Sequence, residues 1–182
     1  MFNSSGFYNI SVPAYTGDRH TEIVRAALDL YRQAQIKGWL GHMFAALRRD
    51  CTCLMDLEKF EAEGKVASRR YAGLRSVPLS QIRGSEGRSG DFDHHFRPLR
   101  CHTQQRWLNV MLARRLDVPL PPIELIQIGE AYFVRDGHHR VSVAYALHEE
   151  YIDAEVTVWE LAEAVAPAQA TSLVAAKAQA AI

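Results

Sequence analysis

The chain has 182 residues, of which 48% are hydrophobic and 23% charged, a composition typical of one globular domain with some additional elements. No apolar run approaches the roughly 18 residues that a membrane-spanning helix needs. The first ten residues lack the charged and apolar regions of a secretory signal. Three cysteines without a framework spacing argue against a disulfide scaffold and favour a reducing compartment. We therefore expect a cytoplasmic protein with no membrane partner.

The net charge of zero hides an uneven distribution along the chain. Residues 65–115 carry eleven basic and three acidic residues, whereas residues 116–182 carry three basic and ten acidic residues. Ten of the eleven central basic residues are arginines, whose planar guanidinium groups can bind phosphate or carboxylate through paired hydrogen bonds. Two interpretations follow: the central segment forms an anion-binding face, or it pairs with the acidic segment behind it.

The N-terminal segment, residues 19–63, has the apolar spacing of helices. Gly38 and Gly41 interrupt this spacing, so the pattern predicts two or three helices. We interpret the segment as a packing or oligomerisation element. A homodimer formed through these helices is therefore one expected assembly.

Strand and helix patterns alternate from Ser76 onwards. The stretch "SVPLSQI" alternates apolar and polar residues and predicts a short strand, and the Gly- and Ser-rich "RGSEGRSGD" predicts a loop. The stretch "TQQRWLNVMLARRL" then predicts a helix. Its candidate buried positions are Trp107, Val110, Met111 and Leu116.

The stretch "PPIELIQIGEAYFV" predicts a β-hairpin, because two apolar runs flank Gly129-Glu130 and glycine suits the first position of a two-residue type II′ turn. "VSVAYAL" continues as a short helix, and "YIDAEVTVW" alternates as a closing strand. The Ala-rich remainder predicts a terminal helix or a tail.

The motif "DGHHR", Asp136 to Arg140, lies where the second hairpin strand ends and a helix begins. Gly137 can adopt a positive φ, and the amides of His138 to Arg140 are the unsatisfied donors of the first helical turn. Such donors bind anions at the positive end of the helix dipole. The guanidinium of Arg140 would add a fork, and Asp136 would cap the helix, hold a histidine or carry a metal ion with a phosphate. An ordinary N-cap with half-buried histidines is the alternative.

The order of these elements around Gly137-His138-His139-Arg140 resembles the ParB/sulfiredoxin-like superfamily, which includes the ParB-like nuclease domain. That family has a Gly-x-x-Arg motif at this strand-to-helix junction, and the resemblance covers roughly residues 75–160. It implies an α+β fold with a small mixed sheet, here with an N-terminal helical extension. It also implies a turn that binds the phosphates of a nucleotide.

From the resemblance we expect residues 1–70 to form the helical extension, 71–160 the ParB/sulfiredoxin-like domain, and 161–182 an Ala-rich helix or tail. Position 138 is His rather than Cys, so the sulfiredoxin nucleophile is missing. The family also contains ADP-dependent serine kinases with a catalytic glutamate after the first strand. Glu86 occupies a comparable place here.

The first functional hypothesis is therefore binding of ATP, ADP or CTP with Mg²⁺, extended to phosphoryl transfer or nucleotide hydrolysis. In it, residues 137–140 hold the phosphates, Asp136 positions Mg²⁺ or an attacking group, and Glu86 is the general base. His138 is a further catalytic candidate, and Arg97 and Arg100 are additional anion contacts.

Three alternatives remain open. The basic segment 65–115, with its neighbouring aromatic residues, would bind DNA, with or without nuclease activity. The stretch "DFDHHFRP" offers Asp and His ligands for a metal ion, although its spacing matches no standard signature. The chain would otherwise serve as a non-catalytic interaction module that dimerises through its N-terminal helices.

Overall fold

The computed structural model describes residues 18–48, 54–58, 61 and 66–161. In these ranges the helices are α1 (Asp18–Arg48), α2 (Gln104–Arg115) and α3 (His138–Ala146). The strands are β1 (Met55–Asp56), β2 (Val66–Pro78), β3 (Ile82–Ser85), β4 (Ile123–Ile128), β5 (Ala131–Asp136) and β6 (Tyr151–Leu161). The predicted α+β class, with a small mixed sheet and an N-terminal helix, is confirmed.

The six strands form one sheet in the order β1-β3-β5-β4-β6-β2. The pairs β1–β3, β3–β5 and β4–β6 are parallel, and the pairs β4–β5 and β6–β2 are antiparallel. The predicted hairpin is confirmed as β4 and β5. Gly129 in its turn has a φ of 59°, whereas Glu130 has no positive φ, which is the type II′ combination.

The predicted strand over "SVPLSQI" is wrong in its bounds. β2 begins ten residues earlier, at Val66, and follows β6 as an antiparallel partner up to Pro78. A short 3-10 turn, Leu79–Gln81, separates it from β3. The sequence did not predict most of β2 because its side chains are mostly exposed and so give no apolar pattern. The strand is defined instead by its backbone pairing with β6.

The predicted loop "RGSEGRSGD" is also wrong at its start, because Arg83 to Ser85 belong to β3. β3 is an inner strand between β1 and β5. A Cβ atom at Gly84 would overlap the ring of Phe133 and lie 2.7 Å from the carbonyl oxygen of Met55. This glycine therefore makes room for a neighbouring side chain in a strand, not for a turn.

α1 is a single helix of 31 residues, so the prediction that Gly38 and Gly41 divide it is wrong. A Cβ at Gly38 would lie 3.1 Å from the Cβ of Arg97, which shows that this glycine allows the loop at 97–99 to approach closely. The expected helical pattern up to residue 63 also fails at β1, which pairs with β3. The predicted features at residues 1–17 and 162–182, and Cys51 and Cys53, lie outside the described residues.

Three apolar clusters hold these elements together. One lies between the sheet and α3 and includes Val134 and Val141; the second covers the other face of the sheet around Phe133 and Trp159. The third joins the three helices. The predicted core positions Trp107 and Met111 are fully buried in this third cluster, whereas Val110 and Leu116 are half-buried.

Among the described residues, no helix combines the length and the apolar composition that crossing a bilayer requires. The domain bounds stay a prediction. Within the structure, β1 and the first residues of β2 precede residue 71 and are part of the sheet.

Candidate anion-binding site

The strand-to-helix turn at the end of β5 has the geometry that the motif predicts. Gly137 is the N-cap of α3 and has a φ of 97°. A Cβ here would lie 2.8 Å from the Cβ of Ile123, so both the backbone conformation and the available space require glycine. The amide of Val141 makes the first intrahelical bond, to the carbonyl of Gly137 at 3.0 Å. The amides of residues 138–140 are therefore the donors without a partner inside the helix.

His138 is buried inside this turn, with 4% of its surface exposed. Its Nε2 lies 2.7 Å from the hydroxyl of Ser85, at the end of β3. The same hydroxyl oxygen accepts the amide N–H of Arg88 at 3.2 Å. Burial, followed by the charge of Arg88, lowers the pKa of His138 to about 3. We therefore assign a neutral ring whose Nε2 accepts the proton of the Ser85 hydroxyl.

A neutral, buried His138 has consequences for chemistry. A side chain with a pKa of about 3 is a poor general base near neutral pH. Ser85 is also fully buried, so its hydroxyl is closed to an incoming substrate. The pair ties β3 to the first turn of α3, and the expected catalytic role of His138 is not supported by this environment.

His139 occupies the outer side of the same turn and is half-buried. Its ring meets that of Phe92 edge to face, with the centroids 5.5 Å apart. Its Nε2 is buried and has no hydrogen-bond partner among the described residues. Burial lowers the pKa of His139 to about 4, helped by the positive charges of Arg88 and Arg106 and opposed by Asp91. In the described conformation this nitrogen is closed to solvent, so it is a buried polar atom without a partner.

Arg140 does not extend a free fork over the turn, in contrast to the expectation. Its Nη1 donates to the carbonyls of Pro121 and Pro122, the latter at 2.9 Å. Its Nη2 donates to the carboxylate of Asp136 at 2.6 Å. These acceptors fix Arg140 against the entry to β4. Asp136 is engaged in this ion pair, and the helix has no side-chain cap, so the expected capping role of Asp136 is wrong.

The positive charge near the turn comes instead from the loop after β3. Asp91 lies within ion-pair distance of Arg88 (3.7 Å), Arg100 (3.6 Å) and His102 (3.5 Å). Since one carboxylate faces two permanent cations and a histidine, this surface keeps an excess of positive charge. Among the neighbouring charges, that of Arg88 lowers the pKa of both turn histidines the most.

The two interpretations of the uneven charge can now be compared. Arg114 of the central basic segment forms an ion pair with Glu149 of the acidic C-terminal segment. The other pairs of the central arginines involve acidic residues of the central or N-terminal segments. Both interpretations of the uneven charge therefore stay predictions.

Two predicted site residues lie elsewhere. Glu86 accepts a hydrogen bond from Nε of Arg135 at 2.9 Å, and that guanidinium lies 5.7 Å from the ring of Trp159. Trp159 belongs to the core on the face of the sheet opposite α3, so Glu86 is not brought to the turn. Arg97 pairs with Asp93 at 3.7 Å and lies against α1. Arg100 lies in the loop around Asp91, at the rim of the site.

The expected metal stretch serves as a folded loop. The carboxylate of Asp93 is buried and accepts the backbone amides of His95 (3.0 Å) and Arg97 (2.8 Å). The rings of His94 and His95 lie 4.0 Å apart, side by side. Within the part of the chain that the structure describes, no three His, Cys, Asp or Glu residues come together as a metal-binding group.

Sequence reasoning missed Ser85 and Arg88. Both belonged to the stretch predicted as a loop, and their spacing from "DGHHR" carries no local signal. Both residues lie near the turn because β3 is the parallel neighbour of β5. The pairing of Ile82 with Tyr132 and of Ser85 with Val134 brings the end of β3 to the end of β5. Parallel neighbours end at the same edge of a sheet, where ligand sites commonly lie.

Comparison with known proteins adds little. A scan against models of protein families finds no match, and a search of curated proteins finds none either. Among solved structures, the chain is similar to sulfiredoxin from Arabidopsis thaliana, with 22% identity over 46% of this chain and 82% of that one, and a TM-score of 0.34. A similarity at this level carries no conclusion about activity.

Proposed function

We propose that the chain binds the phosphate group of a nucleotide, or of a similar phosphorylated anion, at the start of α3. The observation that carries the proposal is the convergence of the free amides of residues 138–140 with the positive charge of Arg88 and Arg106. Helix amides and the helix dipole favour a negative group at this position.

Each arginine has a different part in this proposal. Arg88 supplies the charge that faces the anion, since it is 37% exposed and influences both turn histidines. Arg140 instead holds the turn in place through the carbonyls of Pro121 and Pro122. Removing Arg88 should therefore weaken binding directly, whereas removing Arg140 should act through the shape of the turn.

Binding is better supported than catalysis. The pKa of His138 is too low for a general base, and Glu86 is engaged by Arg135 across the sheet. Phosphoryl transfer and nucleotide hydrolysis are therefore the less supported part of the hypothesis. Mg²⁺ would arrive with the phosphates of ATP, ADP or CTP, and the exposed Asp136 is the carboxylate at the turn that could contact it.

Isothermal titration calorimetry of the full chain with ADP, ATP and CTP, each with Mg²⁺, tests the proposal. A charge-assisted hydrogen bond contributes about 1.5–3 kcal/mol, so Arg88→Gln should weaken binding about tenfold or more. Arg70→Gln is the matched control, because Arg70 is an exposed arginine in β2 away from the turn. Inorganic phosphate should compete with the nucleotide.

Two results would contradict the proposal. The first is the absence of binding for all three nucleotides and for phosphate. The second is equal affinity of the Arg88→Gln variant and the unsubstituted chain.

The second candidate function is binding of nucleic acid, which the excess positive charge around Asp91 also favours. The aromatic residues expected to stack on bases are not available, since Phe92, Phe96 and Trp107 are fully buried. Any such binding would depend on phosphate contacts alone and fall steeply with salt. Fluorescence anisotropy with labelled duplex DNA at several salt concentrations distinguishes it from nucleotide binding. Undetectable binding at low salt would exclude it.

A further inference from the structure

The C-terminal half of α1 exposes a continuous apolar surface, which we call the α1 stripe. Its members are Ile36, Trp39, Leu40, Met43, Phe44 and Leu47. Their exposed fractions run from 36% at Leu40 to 82% at Leu47. Single exposed apolar residues are ordinary, but six large ones on one side of a helix form a patch that indicates an interaction surface.

The spacing within the stripe is that of helices that pair with helices. Ile36, Leu40, Met43 and Leu47 follow one another at intervals of four, three and four residues. These intervals match alternating d and a positions of a heptad repeat, over slightly more than one and a half heptads. The side chains therefore form a narrow seam along the helix.

The opposite side of the same segment is fixed to the body of the protein. Ala45 is buried there, and the backbone at Gly38 lies against Arg97 and Leu99. Nη1 of Arg97 also donates to the carbonyl of Lys37 at 3.5 Å. Because the opposite side of the helix packs against the rest of the protein, the α1 stripe is a pre-formed surface. Binding of a partner would therefore cost little conformational entropy in α1.

The chemistry of the stripe selects an apolar, uncharged partner surface. Lys37 is the one charged residue between positions 36 and 47. A partner of opposite charge would therefore find a single lysine to contact, whereas a second apolar surface with the same spacing would match the whole stripe. In a two-fold dimer the same patch lies on both subunits, so a second copy of the chain provides such a surface.

The area of the stripe agrees with this assignment. Weighting the side chains by their exposed fractions gives on the order of 700 Å² per chain, close to the roughly 800 Å² per partner of a standard interface. We propose that the α1 stripe is the contact surface of a homodimer, with the two copies of α1 packed along their Ile36–Leu47 seams.

Sedimentation velocity and light scattering of the full chain over a hundredfold range of concentration test the dimer. The unsubstituted chain should show twice its mass of 20.5 kDa. The double variant Met43→Glu/Leu47→Glu should be a monomer over the whole range, because two carboxylates would be buried in the seam of each copy. Leu74→Glu is the matched control: Leu74 is 64% exposed in β2, and this variant should remain a dimer.

Circular dichroism and thermal unfolding at low concentration should be unchanged in the double variant, since the replaced side chains are exposed. The proposal would be overturned if the unsubstituted chain is a monomer at every concentration. This holds also if that monomer binds lipid vesicles, or another segment of the chain, through the α1 stripe. A dimer that survives both substitutions would overturn it as well. Nucleotide binding is measured separately, so either claim can fail without the other.

Discussion

Replacing Gly137 by alanine perturbs the turn at the point where backbone and packing both act. The residue has a φ of 97°, in a region that L residues adopt only with strain. The added methyl would also lie 2.8 Å from the Cβ of Ile123 and 3.1 Å from Nε of Arg140. Ile123 is buried in the core between the sheet and α3, so it cannot move away without disturbing that core.

These two costs give the size of the expected effect. The left-handed backbone contributes about 1–2 kcal/mol and the overpacking about 1–3 kcal/mol, so Gly137→Ala should lower the free energy of unfolding by roughly 2–5 kcal/mol. Gly129→Ala separates the two, because Gly129 has a φ of 59° and nothing within 4 Å of its added Cβ. That variant should lose only the backbone contribution, about 1–2 kcal/mol.

Urea unfolding followed by circular dichroism measures both variants. Gly137→Ala should also weaken nucleotide binding, whereas Gly129→Ala should not. If the two variants lose equal stability, the packing of Ile123 against the turn is not as described, and the reasoning is refuted.

Three further predictions concern the groups that hold the turn. Ser85→Ala should cost about 1–3 kcal/mol in urea unfolding, because Nε2 of His138 would be left buried without a donor; an unchanged midpoint would contradict the assigned bond. The folded state keeps His138 neutral down to a pKa of about 3, below the ordinary 6.5, so the unfolded state alone gains a proton as the pH falls. The resulting stability is complete above pH 6.5 and is lost between pH 6.5 and about 3. In the His138→Gln variant the free energy of unfolding should therefore fall less over that pH window than in the unsubstituted chain. Equal pH dependence in the two proteins would contradict this assignment. Arg140→Lys should cost about 1–2 kcal/mol, because an ammonium cannot replace the fork that serves Pro122 and Asp136. Unfolding of this variant with the stability of the parent chain would contradict the clamping role.

Local patterns made the hairpin, α2 and the turn at Gly137 predictable. Gly129-Glu130 between two apolar runs and Gly137 before a helix need only nearby residues to determine the backbone. The sequence could not show what Gly84 and Gly38 do, because their neighbours, Phe133 and Arg97, are distant in the chain. At these two positions glycine allows close packing inside a strand and inside a helix. In sequence analysis, glycine is usually interpreted as the end of such an element.

The composition of the site was harder to predict than its place. The turn was located correctly, but the expected cation was Arg140, whereas the proposed anion contact is Arg88. The difference arises from tertiary contacts: the carbonyls of Pro121 and Pro122 occupy Arg140, and the pairing of β3 with β5 brings Ser85 and Arg88 to the turn. Neither effect has a signature in local sequence.

The most direct test of the central claim is a crystal structure of the chain grown with ADP or with tungstate, a heavy phosphate analogue. The account predicts electron density for an anion within hydrogen-bond distance of the amide nitrogens of His138 and His139, with the guanidinium of Arg88 beside it. An anion bound at another surface, with the first turn of α3 closed by side chains and Arg88 directed away from it, would contradict the account.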